Sequence, residues 1–209
     1  MNVIGRLAFS LGRRDEAPNI QLANEISETE NAEAVKVLTE NLSQKNKAIQ
    51  SDCIKVLYEL GRLKPAMISD YFSLFLGLLT HKNNRLQWGS MIALDSMVSV
   101  IPNKIFEKLP QILDAAEKGS AITRDYAVNI MVNLAQLSGH LENVFPLLME
   151  VLEMSPTNQL PRYAEKMLTF INSENKAEFL AVLNSRLEDM EAETKRKRVE
   201  KVIRKLSNS

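Results

Sequence analysis

The strongest constraint on this chain is an internal period. Rows begun at Asn46, Asn83, Ser120 and Thr157, each 37 positions after the last, read NKAIQSDCIKVLYEL, NNRLQWGSMIALDSM, SAITRDYAVNIMVNL and TNQLPRYAEKMLTFI. The first column holds Asn, Asn, Ser and Thr, whose side-chain oxygens accept from the orphan N–H groups of a helix start. The eighth holds Cys53, Ser90, Ala127 and Ala164, all small. Apolar residues fill the eleventh (Val56, Ala93, Ile130, Met167), the twelfth (Leu57, Leu94, Met131, Leu168) and the fifteenth (Leu60, Met97, Leu134, Ile171). Steps of three and four put these columns on one helix face. Repetition at such a period marks stacked supersecondary units that share a core.

A second set of amphipathic segments alternates with the first: Ile68–Leu79, Ile105–Ala116, Val144–Leu152 and Phe179–Leu187, with an earlier member at Ala34–Leu42. A last member of the first set, Lys195–Leu206, carries Val199, Val202, Ile203 and Leu206. A helix near Asn19–Ser27 precedes them all. Seven Gly and seven Pro in 209 residues suit long helices better than a many-turned β fold.

These pairs resemble HEAT repeats, whose first helix carries an L-P-x-L-like segment and whose second carries an A-x-x-x-L-like one. Leu109-Pro110 with Leu113 and Phe145-Pro146-Leu147 match the first; Ala127 with Met131 and Ala164 with Leu168 match the second. The resemblance covers roughly residues 31–206. It implies an all-α, right-handed α-α superhelix, a HEAT/armadillo-like solenoid of about five helix pairs. Residues 1–30 form an N-terminal capping segment, and one domain of repeats follows at 31–62, 65–101, 103–138, 142–171 and 175–207. The chain departs from the family at the turn, where Asp is common, and at the fifth column, where Arg or Lys is common. That column reads Gln50, Gln87, Arg124 and Pro161, so the stacked Asp–Arg ladder of many relatives lacks most of its residues.

In such solenoids the second helices line the concave wall, as the resemblance implies. Columns opposite the apolar face then supply Lys55, Tyr58 and Arg62; Trp88 and Ile92; Asp125 and Asn129; and Arg162 and Lys166, with Thr169 beside them. Trp88 is the only tryptophan. It either opens to the groove with Tyr58 and Ile92, as recognition hot spots do, or folds over a neighbouring helix. The final helix is strongly basic through Lys195, Arg196, Lys197, Arg198, Lys201 and Arg204. It either holds phosphate or an acidic peptide, or gives the last repeat a polar outer face.

Lys and Arg total 26, as do Asp and Glu, which speaks against a dedicated nucleic-acid coat. A single cysteine, Cys53, allows no intrachain disulfide and suits a reducing cytoplasm; its place in the small column makes it a packing residue. His81 and His140 lack a metal-ligand partner and read as surface residues. No apolar run approaches the roughly 20 residues of a membrane span. Residues 1–14 place Val3, Ile4, Leu7, Ala8 and Leu11 at helical spacing, a stripe that covers the first repeat or lies on a membrane surface. The chain holds no Gly-rich phosphate loop, nucleophile elbow or metal pair, and no cofactor is expected. The expectation is a non-enzymatic scaffold that binds a protein or peptide on its concave face. The alternative is a nucleic-acid protein similar to bacterial alkylpurine DNA glycosylases, with Asp125 beside Trp88 as its acid–base group.

Overall fold

In the computed structural model, residues 2–137 and 139–208 are described; Met1, Ser138 and Ser209 lie outside them. Every regular element among the described residues is helical. The α-helices are α1 (Ala17–Thr29), α2 (Ala32–Glu40), α3 (Lys47–Leu63), α4 (Phe72–Leu78), α5 (Asn84–Met97) and α6 (Pro102–Glu107). There follow α7 (Leu109–Lys118), α8 (Ala121–Ala135), α9 (Leu141–Met154), α10 (Leu160–Met167), α11 (Lys176–Leu187) and α12 (Glu193–Ser207).

Three of the four expected helix starts are found. Asn46 accepts from the Ala48 and Ile49 amides, Asn83 from Arg85, and Ser120 Oγ from Thr123. Thr157 does not start its helix, because α10 begins at Leu160 with Gln159 before it. Pro161 sets that shift: a helix begun at Thr157 would drive its ring into the carbonyl four residues back, whereas the first turn tolerates it. Proline also reshapes the alternate set. The segment Ile105–Ala116 breaks at Lys108 into α6 and α7, with Pro110 in the first turn of α7. The segment Ile68–Leu79 is helical as α4 only from Phe72, after 3-10 turns at Pro65–Met67 and Ser69–Tyr71.

The chain divides into two compact units, Met1–Ile130 and Met131–Ser209. In the first, α3 lies between α1 and α5, with α2 packed on α3 and α4 on α5. In the second, α12 packs on α10 and α11, and α9 packs on the same two helices. Such pairing is consistent with a helical repeat. The apolar columns are buried: Val56, Leu57 and Leu60 on α3, Ala93, Leu94 and Met97 on α5, and Ile130, Met131 and Leu134 on α8. Only the last row loosens, with Leu168 and Ile171 half-buried.

The small column is buried throughout, at Cys53, Ser90, Ala127 and Ala164. Burial, with the nearby Asp52 charge, pushes the Cys53 thiol up to about 12, so it stays a neutral packing group. Two glycines let α3 and α5 approach closely. A Cβ on Gly89 would stand 2.5 Å from Ile54 Cγ1, and one on Gly61 would run into Ser96 Oγ.

The fifth-column departure from the HEAT pattern has a structural counterpart. The Asn83 amide donates to Gln50 Oε1 at 2.9 Å, and Gln50 Nε2 donates to the Gln44 carbonyl. A neutral Asn–Gln rung thus joins two consecutive rows where an Asp–Arg pair would stand. Because Gln50 is buried, both ends of its amide need partners, and both have them.

The N-terminal segment is a 3-10 turn at Ile4–Arg6 followed by one hydrogen-bonded turn. Gly12, at φ 68°, closes that turn with two bonds, Arg13 N–H to the Ala8 carbonyl and Gly12 N–H to the Phe9 carbonyl. This is a Schellman ending. Val3, Leu7 and Ala8 are buried, whereas Leu11 is exposed, so the apolar stripe covers less than its spacing suggests. Asn19, fully buried on α1, accepts from the Ala8 amide and donates to Asp52 on α3; Asp52 in turn accepts from the Phe9 amide. In the second unit, Arg186 on α11 donates to the carbonyls of Leu152, Glu153 and Ser155, satisfying the C-terminal end of α9. His140, expected at the surface, is buried where α9 begins.

The Gly89–Ile54 contact makes a sign prediction. Gly89→Ala alone gains about 1 kcal/mol of helix propensity but overpacks against Ile54, at a cost of about 1–3 kcal/mol. It should lower the unfolding midpoint in the native background and raise it in an Ile54→Ala background. Denaturant titration of the four-member cycle checks this; equal effects in both backgrounds would contradict the close approach.

Candidate functional site: a cation–aromatic cluster on the first unit

Tyr58 on α3 and Trp88 on α5 meet with ring centroids 5.8 Å apart, tilted by 49°. The close helix approach makes this contact possible. Three cations gather on the pair. Lys55 Nζ lies 4.9 Å and the Arg62 guanidinium 5.2 Å from the Tyr58 centroid, and the Arg85 guanidinium lies 4.7 Å from that of Trp88. These distances suit attraction to the ring quadrupole.

Two carboxylates complete the cluster. Glu59, one turn along α3, accepts from Lys55 Nζ at 2.6 Å and from Arg62 at 2.9 Å. Glu16, which stands just before α1, takes Lys55 on one oxygen at 2.9 Å and Arg85 on the other. Its position follows from the helix start: Pro18 occupies the first turn of α1, and the Asp15 carboxylate accepts from the Ala17 amide. From α8, the Tyr126 hydroxyl accepts from Arg62 Nη2 at 2.8 Å. Lys55, Arg62 and Arg85 set against Glu16 and Glu59 leave one positive charge on the cluster.

The outcome corrects the expected wall. Lys55, Tyr58 and Ile92 were expected on an open face and are buried. Glu16, from outside the projected columns, folds over Lys55, and Tyr58 closes against Trp88. Trp88 is half-buried, between the two orientations the sequence allowed. Arg62 remains exposed, and Asp125 and Asn129 are half-buried on α8. In the second unit, Arg162 is exposed and Lys166 half-buried on α10.

Four cluster members fell outside the projection. Glu59 stands in column fourteen, one past the thirteenth, Arg85 in column three, one turn before the sixth, and Tyr126 shares the seventh column with Gly89. Helical projection at 100° per residue treats side chains as short spokes, whereas Glu59 and Tyr126 meet the long side chain of Arg62 from beside the chosen face. Glu16 gave no periodic signal at all.

Burial alone would raise the Glu16 carboxyl, but hydrogen bonds from Lys55 and Arg85 outweigh it and hold the group below the ordinary carboxylate range. For Lys55 burial opposes the charge, and hydrogen bonds to Glu59 and Glu16 reverse this and raise the ammonium above its usual value. Burial pushes the Tyr58 hydroxyl up. Among the described residues, no group of three or more His, Cys, Asp or Glu side chains is placed to hold a metal ion. No helix among them is long and apolar enough to cross a membrane.

The basic helix of the second unit is largely paired. Arg198 holds Glu165 through two bonds of 2.8 and 2.6 Å, Lys197 pairs with Glu193, Arg196 with Glu200, and Lys195 donates to the Asn158 carbonyl. Lys201 and Arg204 are exposed. Lys197 and Arg204 also line an open cleft of about 470 Å³ between α11 and α12, with Asn184, Leu187, Glu200 and Ile203.

No protein-family model matches the chain, and no curated protein matches its sequence. Similarity does extend to crystal structures of engineered proteins from the Northeast Structural Genomics Consortium. One is 16% identical with a TM-score of 0.61 and full coverage of both chains. A second is 16% identical with a TM-score of 0.54, covering 100% of this chain and 98% of the other. A third, at 15% identity and 0.54, covers 99% of this chain and 58% of its own. At such identity the likeness concerns the fold alone.

The lowered Glu16 carboxyl fixes the sign of a pH effect. Its ion pairs contribute fully above the ordinary carboxylate range and are lost as pH falls through the depressed folded value. Trp88 emission should therefore change at acid pH before the far-ultraviolet helical signal is lost. Glu16→Gln should abolish that early step; a step that persists would assign it to another group.

Proposed function

We propose that this chain is a non-catalytic binding module, a HEAT-like α-α solenoid that recognises a protein or peptide on the face formed by its second helices. A cytoplasmic setting goes with this reading. The observation that carries it is the Arg62–Tyr126–Trp88 surface, with exposed Arg62 and half-buried Trp88 resting on a buried Tyr58. Binding hot spots favour Trp, Tyr and Arg on a rigid support, where few rotamers are lost on association. Helices α3, α5 and α8 supply that support. The HEAT-like repeat, extended as a right-handed superhelix, accounts for the regular supply of second helices. The nucleic-acid alternative has less behind it, because the basic helix is mostly spent on Glu165, Glu193 and Glu200.

Selection of a random peptide library on the full chain tests the proposal. Selected peptides should lose affinity about tenfold or more with Arg62→Ala, the scale of a hot-spot truncation, and keep it with Thr169→Ala, which is exposed in the second unit. Peptides that ignore Arg62 would place recognition elsewhere. Duplex DNA binding at low salt, stronger than any peptide binding, would favour the nucleic-acid reading.

A further inference from the structure

We infer that the Lys55–Arg85 pair is a carboxylate-recognition site whose resident occupant is Glu16, and that the partner displaces Glu16 with an Asp or Glu side chain of its own. The inference rests on the binding-module reading and specifies its ligand chemistry.

Four observations lead to it. First, the two cations come from different helices and meet one carboxylate oxygen each, the arrangement a planar anion needs. Second, Lys55 is buried, with 8% of its side chain exposed. A buried ammonium is stable only when paired, and without Glu16 the three cations of the cluster would share Glu59 alone. That net charge calls for an anion. Third, the floor is aromatic, and the guanidinium of Arg85 over Trp88 fixes one arm of the clamp. Fourth, Glu16 ends a connection whose other tie to α3 is at its far end, where the Phe9 amide donates to Asp52. Residues 9–15 are all exposed, and this stretch includes the large apolar side chains of Phe9 and Leu11.

The buried anchors flank that connection: Val3, Leu7 and Ala8 on one side, and Asn19 with Asp52 on the other. The Glu16 side chain can leave the clamp while those anchors hold. A carboxylate tethered in this way competes at an effective concentration of order millimolar. A single external carboxylate therefore binds the native chain weakly. An acidic peptide that also touches Arg62 or the exposed apolar residues gains contacts that Glu16 lacks.

The chain's one tryptophan is in the site, so Trp88 emission reports occupancy directly. The probe is acetylated tetraglutamate amide at low ionic strength, titrated into the full-length chain, with tetraglutamine amide as the uncharged control and inorganic phosphate as a second anion. Glu16→Ala and the more conservative Glu16→Gln should bind tetraglutamate about tenfold more tightly than the native chain, by removal of the competitor. Adding Arg85→Ala should abolish the response in every background, native included. If either folded Glu16 variant binds no better than the native chain, the inference falls. It falls also if phosphate is bound as tightly as tetraglutamate, which would make the site a general anion site. Should Glu16→Ala fail to fold, Glu16→Gln carries the test, and the native chain with and without Arg85→Ala carries it beyond that. Library peptides that need Arg62 but show no preference for Asp or Glu would leave the binding face standing and remove only the carboxylate site.

Discussion

The first unit depends on how closely α3 and α5 approach. Ile54 of α3 fills the space that a side chain at Gly89 would take, and Ser96 and Ile68 fill the space beside Gly61. Two other contacts follow from the same proximity. Asn83, while capping α5, can reach Gln50 one row back, and Trp88 can come within 5.8 Å of Tyr58. Had Gly89 carried a tyrosine, as the same column does at Tyr126 and Tyr163, α5 would stand off from α3 and both contacts would be lost. Packing is thus not uniform along the repeat. It is close where the aromatic pair forms.

Against that apolar framework, Lys55 is the exception that shapes the surface. Placing an ammonium in a largely desolvated position costs several kcal/mol unless anions replace the lost water. Glu59 comes from the same helix and is available wherever α3 folds. Glu16 comes from a distant point in the sequence, so its arrival ties the connection before α1 to the α3–α5 face. The rings of Tyr58 and Trp88 add to this. They present electron-rich faces to Lys55, Arg62 and Arg85, so aromatic packing and charge pairing stabilise the same geometry. The group is better described as one network than as a row of independent wall residues.

Helix type, order and buried face were legible in the sequence because they follow from local rules. A 37-residue spacing of small and apolar residues has few other solutions, and Asn46, Asn83 and Ser120 cap where their chemistry says they should. The failures have equally physical causes. Thr157 has the right chemistry, but Pro161 forbids the backbone it would need. His140 is buried because α9 begins there, which no periodicity at that point announces. Tyr58, Trp88 and Arg62 were found because their columns, thirteen, six and seventeen, fall on one helix face. Lys55 was found too but misplaced, since a cation on a projected polar face reads as solvated until its cover is known. That cover, Glu16, lies in a segment with no repeat, and long-range ion pairing leaves no trace in a single sequence.

The N-terminal segment therefore holds two kinds of contact that differ in how readily they exchange. Buried Asn19, bridging the Ala8 amide and Asp52, has no substitute in solvent; breaking it strands polar groups in the interior, where each unpaired group costs about 1–3 kcal/mol. Glu16, with a side chain 41% exposed, has ready substitutes. Another carboxylate can take its place with the same charge, the same two donors and little change in desolvation, so the exchange is close to neutral for the clamp itself. Any preference for a partner must then come from contacts beyond the clamp, on Arg62, Tyr126 and the exposed edge of Trp88. A ligand shifts such an equilibrium only by its differential affinity for the two states. In this site that difference is set by the neighbours of the clamp, while the clamp sets only the chemistry of the group admitted.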